Sequence, residues 1–429
     1  MINNEWFIIQ DGECLTEETY ILFQDEFEFG DINKTKRGYF SRFVGFIFCG
    51  DKILISFPKH YFSLKEIVEY QPVNPILKHD LYPEIKTLFR VIEKTIVRKS
   101  EKTFGAREDL NSAYPLHYFY EIYTYYLQNG LYVNEQEIKK QGYSGKIDWK
   151  NTILKSPIVI SNGQLLYMPL TVRNKITEFV FISKCMAYTI DSTADAIGFI
   201  MDFKRTGLDT KDINWSNKGK IISQLYHIKQ FIFKDKQKKL IDNLINFFRN
   251  ETIGSHTFKL KTWRFDLIWE EMIGVYLNHY FSGINENGYI TFSQTKLLRE
   301  DPFQKGKFFP DVLKESGRRL EPDFYLVKDG VRYIFDGKYY NEVKELNYKQ
   351  IAYYFLLKHH EGIHVIQSDT VVPLLTHNIL ILPTNMHPES PSNFKVHFNL
   401  DTNYNRDESE LKIKEQYCNT KQVMSSYIN

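Results

Sequence analysis

Over residues 1 to about 80, short apolar runs alternate with turn signals, a pattern that predicts mostly β-structure. Tyr39–Phe48 is apolar and aromatic, Gly50 and Asp51 supply a turn, and Ile53–Phe57 follows. This reads as a hairpin, and Pro58 ends its second strand because proline has no N–H to give a ladder. From Pro83 the period changes: Ile85, Leu88, Phe89, Ile92 and Ile96 recur at helical spacing over Pro83–Lys99. Tyr114–Leu131 predicts a second, very aromatic helix. Tyr132–Arg173 is irregular, with Gly142, Gly145, Pro157 and Gly163, and a strand is expected over Gln164–Thr171. Further helices are expected at about 175–205 and 217–250. The pattern breaks near Glu251–His256, at Gly254 and Ser255. Beyond the break the order reads helix, strand, strand, helix, strand, to about Pro383. The stretch after His387 is polar and predicts a loose tail. The chain therefore reads as α+β in four regions: β-rich 1–80, mainly helical 81–250, an α/β core over 251–385, and a polar tail over 386–429.

Composition narrows the class. With 43% hydrophobic and 25% charged residues, the 429-residue chain is long enough for two or three domains, and disorder is not the default. Aromatics reach 16%, and most are expected in the core. A net charge of +2 gives no global basic field, so any nucleic-acid contact needs basic residues gathered on one face. Cys14, Cys49, Cys185 and Cys418 lie far apart, which disfavours a zinc ribbon or a disulfide scaffold. The N-terminal residues do not read as a signal peptide, and no apolar run is long enough to span a bilayer. A cytoplasmic protein without a membrane partner is expected.

The chemistry lies in one segment. Glu321–Val327 and Val331–Lys338 flank Lys328-Asp329-Gly330, and Asp-Gly between apolar runs is a strong hairpin signal. A two-residue turn at Asp329-Gly330 sets Asp323 directly opposite Asp336, with Cβ atoms about 4.5–5.5 Å apart. Like charges so placed repel. A divalent cation would offset that, and Mg²⁺ suits carboxylates while keeping several waters. Lys338 follows Asp336 by two and shares its face. Upstream, Asp266–Glu271 opens a helix with a further carboxylate. Two or three acids, one ammonium and a metal ion are what hydrolysis of a phosphodiester needs.

Pro322-Asp323 followed by Asp336-Gly337-Lys338 resembles the PD-(D/E)XK nuclease motif. Glu270, after an aromatic within Leu267–Tyr276, looks like the acid on that fold's first core helix, with Glu271 beside it as the alternative. Gln350-Ile351-Ala352-Tyr353-Tyr354 looks like the Q-x-x-x-Y element that some of these nucleases carry on the next helix. More narrowly, the arrangement resembles McrC-like restriction subunits, especially the LlaJI family, over about residues 263–357 and in layout over 1–250.

That resemblance implies a C-terminal α/β nuclease core with a mixed sheet. Asp323, Asp336 and Glu270 would hold Mg²⁺, with Mn²⁺ as a substitute. Lys338 would position the water, and Gln350 would support the site or touch nucleic acid. The substrate would be double-stranded DNA. The β-rich region 1–80, with the hairpin Phe43–Lys59, would dock on a separate AAA+ GTPase of McrB type in a hetero-oligomer. The rival readings are a stand-alone repair, recombination or transposon endonuclease, and a subunit that has lost catalysis. The presence of Asp323, Asp336 and Lys338 argues against the last.

Other signals are weaker. Lys234, Lys236, Lys238 and Lys239 read as a solvated helix face before a DNA contact, and Tyr114–Tyr126 as core before a base-stacking platform. Arg318 and Arg319, just ahead of the motif strand, are better placed for substrate. His359, His360 and His364 suit a surface or capping role. No G-x-S-x-G elbow is present, and Gly145-Lys146 is followed by Ile147, so no P-loop is formed.

Overall fold

The computed structural model describes residues 5–429 apart from 70–72, 74, 103–114, 162, 179, 199, 202, 251–256, 315–318, 359, 361–363, 368–369 and 405–410. The fold is mixed α+β, in two compact units: Met1–Tyr114 with Ser255–Asn429, and Pro115–Gly254. The expected break at Glu251–His256 lies outside the described residues. Among the described residues, no helix is long and apolar enough to cross a membrane.

In the first unit, strands β1 (Glu5–Gln10), β2 (Val44–Cys49), β3 (Lys52–Phe57) and β4 (Thr257–Thr262) form a sheet in the order β1-β3-β2-β4. β2 and β3 are antiparallel around Gly50, whose φ of +60° suits glycine, and Cys49 faces Lys52. Nearly every residue of both strands is buried, because both faces are covered. Phe23, Phe43, Ile47 and Leu54 pack on one side. Phe46 meets Phe89 of helix α1 (Pro75–Lys102) with ring centroids 6.0 Å apart. The strand side chains of the hairpin expected to dock on a partner are thus core, and its exposed residues are Gly50 and Asp51 of the turn. At Gly45 a Cβ would lie 2.1 Å from the Leu260 carbonyl oxygen, so only glycine lets β4 approach this closely.

Helix α1 starts eight residues before Pro83, and Pro75 takes the first helical position that suits proline. Lys78, His79 and Asp80 blur the apolar period there, so Pro83 reads as the start. Ile85, Leu88, Phe89 and Ile92 are buried, as their spacing predicts.

The second sheet of this unit holds β5 (Phe324–Lys328), β6 (Val331–Gly337), β7 (Leu375–Thr384), β8 (Phe394–Asn399) and β9 (Lys412–Asn419), in the order β5-β6-β7-β9-β8. β5 and β8 are antiparallel edges on a parallel centre. Ile379–Leu382 are all fully buried, as expected for a parallel strand covered on both faces. Helix α2 (Phe265–Tyr280) covers one face, its Trp269 indole donating to the Ile381 carbonyl at 3.3 Å. Helix α3 (Tyr348–Lys358) covers the other, with Tyr353 and Leu357 against Ile334 and Tyr354 against Leu380 and Leu382.

The stretch after His387 corrects the expectation of a loose tail. It supplies β8, the interior strand β9 and helix α4 (Thr420–Ile428), which packs on α1 and α2. Composition hid β9 because its buried polar residues have private partners. Glu415 bonds His397 at 2.8 Å and Tyr417 at 2.6 Å, and Gln416 bonds both the N–H and the carbonyl of Ile290 at 2.7 and 2.9 Å. Buried polar groups with such partners cost little.

The second unit contains the helices Leu116–Asn129, Phe181–Ile197, Lys218–Lys229 and Asp235–Asn250, a small sheet of Asn134–Gln141, Thr171–Glu178 and Lys146–Ile147, and the hairpin Ile158–Ser161 with Gln164–Tyr167. Three expectations change here. Thr171–Glu178 is strand, so the helix expected at 175–205 is shorter. The helix expected at 217–250 is two, the second beginning anew after Lys229. The region expected as mainly helical carries a substantial β portion.

Candidate active site

The hairpin β5–β6 turns through Asp329 (φ +51°) and Gly330 (φ +75°), the left-handed pair of a type I′ turn. Phe324 faces Phe335 and Lys328 faces Val331, a register that carries Asp323 opposite Asp336. The two aspartates are laced together. Asp323 donates its N–H to Asp336 Oδ1 at 3.4 Å, and Gly337 donates its N–H to Asp323 Oδ2 at 3.1 Å. Lys338 forms an ion pair with Asp336, which is buried. Burial first, and then the Asp336 charge, push the Asp323 carboxyl up to about 8. Burial works against the Lys338 ammonium, but Asp336 outweighs it and holds Lys338 above its ordinary value.

Strand alternation puts Asp336 on the α3 side with Arg332 and Ile334, while Phe335 and Gly337 face α2. Glu270 comes from α2, and a Cβ at Gly337 would lie 3.3 Å from its Cγ. Burial raises the Glu270 carboxyl, against the pull of Lys305 and Lys338. Glu271 is engaged elsewhere, accepting from the Tyr427 hydroxyl at 2.9 Å. Of the two adjacent acids, the geometry thus brings Glu270 to the pair. Among the described residues, no three His, Cys, Asp or Glu side chains form a ready metal cluster. What is assembled is a pair of carboxylates and an ammonium, with a third carboxylate in electrostatic reach from the other face. Two facing carboxylates, one held protonated by burial and by the other's charge, fit Mg²⁺, which binds through one or two carboxylates and retains waters.

Gln350 stands apart. It is fully buried in the first turn of α3, and neither side-chain amide atom has a hydrogen-bond partner among the described residues. Its carbonyl accepts from Asn378 Nδ2 at 3.0 Å, and Asn378 pairs with Ile334, two residues before Asp336. It therefore sits behind the acids, between helix and sheet.

Sequence reading gave no role to two neighbours of the acids. Lys305 sits in a loop held beside β5 by paired bonds between Gln304 and Tyr325 at 3.2 and 2.8 Å, and it bears on Glu270. Tyr353, on α3, feels both Asp336 and Asp323. The loop has no periodicity to betray it, whereas Tyr353 lies within the Q-x-x-x-Y element, one residue before its tyrosine, Tyr354. An open cleft of about 930 Å³ leads to Glu270, Gly337 and Lys338.

The weaker signals resolve quietly. Arg319 pairs with Glu321 at 2.7 Å, and Arg318 lies outside the described residues. Lys239 pairs with Glu121 at 2.8 Å, and Lys236 donates to Asn129 at 3.1 Å. Phe119 is buried against Tyr123 and Phe203. His360 lies edge-on to Phe308, His364 opens a strand, and His359 lies outside the described residues.

The family model of the LlaJI restriction endonuclease matches residues 43–352. No curated protein matches the chain. A chain of the solved half-complex from the tetradecameric assembly of Thermococcus gammatolerans McrB AAA+ hexamers with bound McrC is similar at 10% identity and a TM-score of 0.40, over 99% of this chain and 98% of that one.

Proposed function

The chain belongs to the LlaJI restriction endonuclease family, and from that premise we propose that it is the DNA-cutting subunit of a phage-defence restriction system, dependent on Mg²⁺ and working with an AAA+ GTPase. The observation that carries this reading is the lacing of Asp323 to Asp336 with Lys338 ion-paired beside them. Asp323 and Asp336 would hold the metal ion. When bound, Mg²⁺ polarises the phosphate and acidifies a water; Mn²⁺ can substitute. Lys338 steadies the attacking oxygen and the charge that develops on the phosphate. Glu270 approaches from the opposite helix and orients a water or takes its proton. Gln350 and Asn378 fix α3 against β7, the strand paired with the one that carries Asp336.

Two observations support a separate protein partner. The 429 residues hold no P-loop, so nucleotide hydrolysis would be the partner's. The second unit exposes large apolar side chains at Trp149, Leu154, Ile160 and Leu165, of the kind that another protein covers.

The test is plasmid cleavage by the full chain with its AAA+ partner, with and without Mg²⁺. Asp336→Ala should abolish cutting, by about a thousandfold or more, and still copurify with the partner. Wild-type cutting by that variant, or by the wild-type protein in chelator, overturns the reading.

A further inference from the structure

The cleft beside the acids has a second wall, and that wall comes from the N-terminal β region. A two-stranded hairpin, Ile32–Thr35 with Gly38–Ser41, carries Lys36 and Arg37 at its tip. The tip is held firmly. Arg37 donates its N–H to Thr35 Oγ1 at 3.1 Å, and Tyr39 stacks on Tyr20 with centroids 3.6 Å apart. Arg42 follows the hairpin, its N–H bonded to the Asp31 carbonyl at 2.8 Å. Lys36, Arg37 and Arg42 are exposed and make no ion pair among the described residues. Lys59, at the end of β3, reaches across to Tyr339, with Nζ 3.4 Å from its carbonyl oxygen and 4.9 Å from its ring centroid. Tyr339 adjoins Lys338, so the two walls meet at the acids.

Charge makes this cleft unlike the molecule around it. The chain as a whole is nearly neutral, at +2. The cleft is lined by five cations, Lys36, Arg37, Arg42, Lys59 and Lys338, against three acids, Asp11, Asp266 and Glu270. Two of those acids are answered locally. Asp266 is clasped by Arg264 at distances of 3.1, 3.3 and 3.1 Å, and Asp11 is half-buried, hydrogen-bonded to Tyr339 and faced by the Lys59 and Arg42 charges. Trp263 and Tyr340, both exposed, add flat apolar surface. Three exposed cations without an ion pair among the described residues, Lys36, Arg37 and Arg42, with aromatics between them and the proposed phosphodiester-cleaving cluster, match a nucleic-acid backbone better than a small enclosed ligand.

Resting on the nuclease reading above, we propose that this cleft is the track for the DNA strand adjoining the scissile phosphate, with Lys36, Arg37, Arg42 and Lys59 neutralising backbone phosphates. The N-terminal β region is then part of the substrate site.

The test is binding of a short blunt DNA duplex to the full chain, with Ca²⁺ in place of Mg²⁺, read by fluorescence anisotropy over a salt series. The Lys36→Ala/Arg37→Ala/Arg42→Ala variant should bind about tenfold or more weakly near physiological salt. Its log–log salt slope should be shallower by about 0.9 for each phosphate no longer neutralised, or roughly 2.7 in all. The charge-keeping Lys36→Arg/Arg37→Lys/Arg42→Lys variant should bind like the wild type, as should Lys236→Ala/Lys239→Ala in the second unit. An unchanged slope in the triple alanine variant overturns the proposal. So does equal weakening in the charge-keeping variant, or a wild-type chain that shows no salt-dependent binding. Wild-type Mg²⁺-dependent cleavage alongside any of these leaves the nuclease reading standing. A weakened triple variant alongside a wild type that never cuts would sink the nuclease reading and leave a DNA-binding groove.

Discussion

Two hairpins of this chain share a turn chemistry and have opposite fates. Phe324–Lys328 with Val331–Gly337 turns at Asp329-Gly330, and its Phe324, Ile334 and Phe335 are buried. Ile158–Ser161 with Gln164–Tyr167 turns at a glycine, Gly163 (φ +76°), yet Ile160 and Leu165 are 74% and 61% exposed. The difference is company. The first hairpin continues through β6 into a five-stranded sheet with a helix on each face, whereas the second pairs only with itself among the described residues. A two-residue turn sets register and leaves burial undecided. Burial comes from distant segments, and among the described residues no further strand joins the second hairpin, whose Ile160 and Leu165 stay exposed.

The same substitution in the two hairpins is the hardest test of that contrast. Ile334→Asp buries a charge with no partner at a fully enclosed position and should cost more than about 4 kcal/mol, enough to unfold the first unit in a urea titration. A mild effect there would break the comparison. Next in size is Arg332→Met. Arg332 is buried in the strand that carries Asp336, bonded to Thr376 Oγ1 at 3.0 and 2.8 Å and to the Leu357 carbonyl. Removing those bonds should cost about 1–3 kcal/mol, read from the shifted denaturation midpoint.

A smaller effect should appear with pH. The folded Asp323 carboxyl holds its proton up to about 8, whereas its ordinary value is 3.8. The folded state therefore binds the extra proton, and stability that is complete below the ordinary value is lost as pH rises toward 8. Metal-free protein should melt at progressively lower temperature across that window, and Asp323→Asn should flatten the trend. A rising melting temperature would show that the aspartate pair is not crowded. Smallest of all, Ile160→Asp should move stability by no more than about 0.5 kcal/mol. If the exposed hairpin is a partner's landing place, that variant should still stop copurifying with the AAA+ protein.

How much could be read in advance follows the range of the interactions involved. Asp323 opposite Asp336 was legible because two turn residues determine a local register, and Lys338 followed from strand alternation. Glu270 and Glu271 could not be separated, since their difference lies in Gly337 and Tyr427, far along the chain. Strand β9 was illegible because Gln416 finds its partners at Ile290. The basic wall of the cleft was illegible for the same reason. Lys36 and Arg37 look like an ordinary solvated turn until folding sets them across from Lys338.

The missing side chain at position 45 links regions that look independent in a linear map. Strand β4 ends at Thr262, and α2, the helix bearing Glu270, begins at Phe265. Anything that pries β4 from β2 tugs on that helix directly. If the proposed function holds, a genetic screen that demands phage resistance should therefore recover inactivating changes at codon 45, more than two hundred positions from Glu270, in protein whose proposed site residues are untouched.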